Sequence, residues 1–171
     1  GEIEDVGTPT RAVFDLPPGR LKLRMTIEEA GGDALVCDLR DVTVRDLRRG
    51  VAIGTPEVFR ARTAREFASL DANAAAVPVS SREFSRTERL LLRVPAYSSA
   101  DAGRERPTVS ARLLNRGGQM MRALDVRPAD GNVNRVDLPL AGLASGDYLV
   151  ELAAKGRAGE AKELLNFRIT N

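Results

Sequence analysis

Histidine and tryptophan are missing from all 171 residues, and cysteine occurs once, at Cys37. Without histidine there is no Ser-His-Asp or Cys-His nucleophile and no imidazole-ligated metal. With a single cysteine, no intrachain disulfide or thiolate cluster can form. Aromatic residues make up 4% of the chain, few for the stacking platforms that hold bases or sugar rings. No stretch approaches the roughly 18 consecutive apolar residues of a membrane-spanning helix. Charge of one sign is lacking too: 26 basic residues stand against 24 acidic, for a formal net charge of +2. The two signs interleave, as in Arg45-Asp46-Leu47-Arg48-Arg49, so the sequence pI near 9.0 reflects a slight excess of Arg and not a basic block. Nucleic-acid binders gather Lys and Arg on one face, and that class is set aside.

What the chain does have is alternation. Tyr148, Val150 and Leu152 alternate with Leu149, Glu151 and Ala153, then Leu165, Phe167 and Ile169 alternate with Leu164, Asn166 and Arg168. Period-2 patterning is the mark of a strand with one buried face. Gly156 and Gly159 mark the reversal, so Leu143–Ile169 reads as a closing β-hairpin. The pattern occurs twice. Leu16, Gly19, Leu21, Leu23 and Met25 repeat the spacing of Leu143, Gly146, Tyr148, Val150 and Leu152, 127 residues earlier (146 − 19). Similar elements at a fixed offset point to two related β-modules in tandem.

In chain order, Ala12–Leu16 reads as a first strand and Pro17-Pro18-Gly19 as a turn. Leu21–Ile27 and Ala34–Leu39 read as strands, with a bulge at Arg40-Asp41 where the apolar positions change parity. Cys37 shares a side with Leu35 and Leu39 and reads as a small buried core residue. Val51–Ile53 reads as a short edge segment, and 57–63 as strand or loop. Three or four strands make a thin sheet, whose consequence is an exposed edge or face. Residues 64–76 carry good helix formers, with Phe67 and Leu70 placed to pin a short turn onto a sheet. The predicted organisation is a small β-module over 1–63, a partly helical connector over 64–76, and an immunoglobulin-like β-sandwich over 77–171. Its expected strands are Arg89–Tyr97, Val109–Leu113, Met120–Val126, Val133–Leu138 and the closing pair, a rhythm typical of that all-β fold. Gly1 stands where an initiating Met would, so the chain reads as a piece of a longer protein. A charge at Leu23 or Leu152 should abolish folding, because both positions read as buried.

No residue is assigned a catalytic, cofactor-binding or metal-binding role. Asp130-Gly131-Asn132 offers too few oxygens for calcium and reads as a turn. Asp38, Asp41 and Asp46 stand among Arg40, Arg45 and Arg48 and read as surface ion pairs, not as an acid–base pair. Gly31-Gly32 and Gly117-Gly118 lack the Lys-Ser/Thr that follows a phosphate-cradling loop. Ser80-Ser81 and Ser98-Ser99 lack a base.

The run Leu16-Pro-Pro-Gly-Arg-Leu-Lys-Leu-Arg, the segment Val42-Thr-Val-Arg-Asp-Leu47, Glu83-Phe84-Ser-Arg, and Leu143-Ala-Ser-Gly-Asp-Tyr-Leu-Val-Glu-Leu with Phe167-Arg-Ile resemble the C-terminal region of bacterial von Willebrand factor A-related proteins. The resemblance spans residues 12–170. It implies an extracytoplasmic setting beside an adhesion-type domain, in a parent with an export signal. That domain's Asp-x-Ser-x-Ser metal site has no counterpart here, so no binding residue is carried over. The expected function is a non-enzymatic module that spaces, supports or mediates contacts with a protein partner or a neighbouring domain of the parent chain. It is expected to need no cofactor, to bind no nucleic acid and not to insert in a membrane. A carbohydrate- or ligand-binding module is the alternative, and an enzyme built on a carboxylate pair the third reading.

Overall fold

Leu90, Leu92, Val94 and Ala96 fall on alternate positions of one strand, and all four side chains are buried. This strand, β6 (Arg89–Ser98), is the spine of a β-sandwich. The computed structural model describes residues 16–28, 32, 34–99 and 106–170. It divides into two units, Gly1–Asp46 and Leu47–Asn171. The first contains β1 (Gly19–Glu28) and β2 (Ala34–Val44), paired antiparallel. The predicted strand Ala12–Leu16 lies outside the described residues except for Leu16.

The second unit is the sandwich. One sheet runs β6–β10–β9, where β10 is Val133–Pro139 and β9 is Val126–Pro128. On the free side of β6 lie β3 (Val51–Ile53) and β4 (Glu57–Ala61), end to end. The other sheet runs β5–β12–β11–β7–β8, from β5 (Glu83–Ser85), β12 (Gly159–Thr170), β11 (Gly146–Gly156), β7 (Thr108–Asn115) and β8 (Met120–Leu124). All pairs are antiparallel except β5 with β12. This is the strand order of an immunoglobulin-like sandwich. Its inner faces meet in one core, with Val136 and Leu138 from β10 opposite Val150 and Leu152 from β11. The Trp and the disulfide that often fill such a core are replaced by a leucine-rich layer. Another hallmark is present: the Tyr148 hydroxyl, near the start of β11, donates to the Ala144 carbonyl at 2.8 Å.

β6 is apolar on both faces because both are covered. Its outer face carries Leu91 and Arg93 beneath α1 (Ala64–Ala72), where Phe59, Ala76 and Leu91 form a second small core with Phe67 and Leu70. The helix starts in a capping box. Thr63 Oγ1 accepts from Glu66 N at 3.1 Å, and Glu66 Oε2 accepts from Arg62 N at 2.7 Å. Its end is held from below. The buried Arg93 guanidinium donates to the carbonyls of Leu70 (2.5 Å) and Asn73 (2.7 Å) and lies 4.4 Å from the Phe59 ring centroid. A cation is favoured at a helix C-terminus. Pro95 stands within β6 and not near its end, at the gap between β4 and β3, where a missing N–H interrupts no ladder. Gly54 fills that gap, and a Cβ there would come within 3.3 Å of both Pro95 and the Tyr97 ring.

Three expectations change. The boundary lies at Asp46/Leu47 and not at 64–76, because β3 and β4 pair with β6, and α1 is therefore part of the sandwich. Met120–Val126 is not one strand: it breaks at Asp125, leaving β8 in one sheet and β9 in the other. The parity change at Arg40-Asp41 is not a bulge. Pairing runs unbroken from Gly19/Val44 to Ile27/Val36, and the single shift falls beside the turn, between Ile27 and Glu28.

Candidate functional site

The continuous register of β1 with β2 decides which side chains share a face. Leu21 faces Val42, Ile27 faces Val36, and Leu23 and Met25 face Arg40 and Asp38. One face is therefore Leu21, Leu23, Met25 and Ile27 with Val36, Val42 and Val44, crossed by an ion pair between Arg40 Nε and Asp38 Oδ2 at 2.6 Å. The opposite face carries Arg20, Lys22, Arg24 and Thr26 beside Thr43, Asp41, Leu39 and Cys37, with Lys22 Nζ 3.5 Å from Asp41 Oδ1; it is mostly polar but also exposes Leu39. The ribbon is amphipathic, and its apolar side is open: Ile27 is 60% exposed, Val36 53%, Met25 39% and Leu23 38%. Among the described residues of this unit none is buried. Contiguous exposed apolar surface marks an interaction site, and covering each such side chain is worth about 1 kcal/mol or more.

This placement corrects two expectations. Leu23 is not a core residue. Cys37 lies opposite Thr26 on the polar face and is exposed, because an unbroken register gives the odd positions of β2 to the polar side. The same parity separates the candidate carboxylates: Asp38 pairs with Arg40 on one face and Asp41 with Lys22 on the other.

The remaining candidates are dispersed. Asp130-Gly131-Asn132 forms the turn between β9 and β10, with Gly131 at φ +64°. Gly117-Gly118 lies in the β7–β8 turn, and Ser81 Oγ is engaged with the backbone of Glu83. Tyr148 is buried in the core, its ring stacked on Phe167 at 5.7 Å. Among the described residues no three of Cys, Asp and Glu converge as metal ligands would, and no helix is long and apolar enough to cross a membrane.

The sandwich has its own concavity, which the sequence reading did not single out. A groove of about 330 Å³ runs beside α1, lined by Phe67, Leu91, Arg122, Arg127 and Pro128, among others. Half of its six charged lining residues are held in ion pairs. Arg135 Nη1 lies 3.1 Å from Asp71, and Arg89 grips Asp137 with two bonds of 2.6 and 2.5 Å. Such bidentate pairing holds the Arg89 guanidinium charged. Nearby, the buried Glu88 carboxylate accepts from Ser85 N at 2.8 Å and lies 3.6 Å from Arg60 and 3.5 Å from Arg62. These groups stitch α1 and β4–β6 together, and they form no nucleophile–base pair.

No protein-family model matches the chain, and no curated protein matches it.

Proposed function

We propose that the chain is a non-enzymatic structural and protein-interaction module of a larger exported bacterial protein, of the kind its sequence resembles: the C-terminal region of von Willebrand factor A-related proteins. The reading rests on one observation, the open apolar face of the β1–β2 ribbon. A face of leucine, isoleucine, valine and methionine suits another polypeptide. Its two charges, Arg40 and Asp38, satisfy each other, so it does not call for a charged ligand. The sugar-binding alternative would draw on exposed aromatic rings, and of the two tyrosines one is buried and the other half-buried. The extracytoplasmic setting is part of the same proposal and follows from the sequence resemblance.

Two measurements test it. A glycan array probed with the chain is expected to be blank, and a tight hit would replace this reading with the sugar-binding one. A dye that fluoresces on apolar surfaces is expected to bind the chain and to lose most of its signal in a Met25→Lys, Ile27→Lys variant, with the melting of the sandwich unchanged. Undiminished dye binding would locate the exposed apolar surface elsewhere and remove the observation on which the reading rests.

A further inference from the structure

The two hairpins of this chain are the same object in different surroundings. β1 and β11 each open on a glycine at nearly the same positive φ, +149° at Gly19 and +150° at Gly146, a backbone angle that favours glycine. From there Leu21, Leu23, Met25 and Ile27 occupy the places of Tyr148, Val150, Leu152 and Ala154. The return strands agree as well. Val44 and Ile169 face the two glycines, Val42 and Phe167 face the residues two further on, and acidic Asp38 and Glu163 face Met25 and Leu152. The repeat seen in the sequence thus extends to the pairing register, with one change of character: Arg40 faces Leu23 where Leu165 faces Val150.

Their surroundings differ. The inward face of β11–β12 is buried against β6 and β10, and β7 hydrogen-bonds along the other edge of β11. The matching face of β1–β2 is open, and the sheet has two strands only. A two-stranded ribbon is marginal in water without something to pack against. Building on the interaction reading of this same face, we infer that β1–β2 is the closing hairpin of a second immunoglobulin-like sandwich. Its remaining strands belong to the parent polypeptide and precede this hairpin in chain order. The order follows from topology: β11–β12 is the last pair of its sandwich, so the strands that cover such a pair come before it. The chemistry of the occupant follows from the face. It is a sheet with alternating apolar residues, as β6 and β10 present to β11, plus one strand on the free edge of β1. With Arg40 and Asp38 mutually paired, a neutral apolar sheet fits and a charged partner does not. The six residues between β2 and β3, Arg45–Gly50, would then be the link between two sandwiches in tandem.

Hydrogen exchange on the 171-residue chain and on the parent protein carrying the preceding hundred or so residues tests the inference. In the shorter chain, peptides of β1 and β2 are expected to exchange about 100-fold or more faster than those of β11 and β12, at every protein concentration. In the longer protein they should slow to within about tenfold of β11 and β12. Met25→Asp should lower one melting transition of the longer protein and leave the shorter chain's melt unchanged. Protection of β1–β2 that grows with concentration of the shorter chain, with a dimer in sedimentation, would make a second copy the occupant: the inference fails and the interaction reading stands. A longer protein with β1–β2 still unprotected also overturns the inference and leaves an external partner. Protection in the monomeric shorter chain overturns both.

Discussion

Leu23 and Leu152 occupy neighbouring positions in the repeat pattern and read identically in the sequence, yet their environments are opposite: Leu23 is 38% exposed and Leu152 is fully buried. Leu152→Asp is expected to abolish cooperative unfolding at 25 °C, because it places an unpaired charge in the sandwich core. Leu23→Asp should leave the thermal melt of the 171-residue chain unchanged. Arg93 carries a different lesson. Its guanidinium is buried only because two carbonyls at the end of α1 and the face of Phe59 receive it. Arg93→Met is expected to cost about 2 kcal/mol in urea unfolding, most of it from carbonyls left without a donor. Two surface carboxyls contribute to the acid behaviour. Hydrogen bonds from Arg168 to Asp147 and from Lys155 to Glu160 hold both below the usual carboxylate range. The unfolded chain therefore binds these protons more readily than the folded one. The stabilisation is present above the unfolded values, about 4, and is lost as pH falls through the lower folded ones. The double variant Asp147→Asn, Glu160→Gln should flatten the fall of melting temperature below about pH 4 relative to the parent.

At the scale of elements, the β11–β12 hairpin was legible, since alternation, the reversing glycines and the core face all say the same thing, although β12 starts at Gly159, several residues before the alternation read from Leu164. β6 was legible too, as a strand apolar on both faces. Its second cover was visible in part, in the helix formers of 64–76 and in Phe67 and Leu70, which dock it; the Thr63-x-x-Glu66 capping box is a further signal that was not used. β3 was read as a short edge segment and β4 as strand or loop, and both were attributed to the wrong neighbour. Pairing across some forty residues leaves no local trace, and nothing in Val51–Ile53 says whether its partner precedes or follows it. β5 was missed for a related reason: three residues form its ladder, and that ladder is with the far end of the chain. The ribbon's face was misjudged at Cys37, because a parity change looks like a bulge when the pairing is unknown. Maleimide labelling of the folded chain is expected to modify Cys37 as fast as it does in denaturant, whereas a core thiol would be protected by orders of magnitude.

For the whole molecule, the all-β sandwich was legible because many short alternating segments and regular turns admit few other architectures. Function was less so. The open face of β1–β2 depends on what is absent from around it, and a sequence lists only what is present. One further property follows from the pairing of β5 with β12. These two strands run side by side in the same direction, with β3, β4 and α1 of the same sandwich ahead of β5 in the chain. A pull on the chain ahead of Glu83 and another beyond Thr170 would draw them past each other lengthwise, so the rungs at Glu83, Phe84 and Ser85 would be strained together and not peeled one after another. A domain closed in this way meets mechanical tension with a brake rather than a zipper.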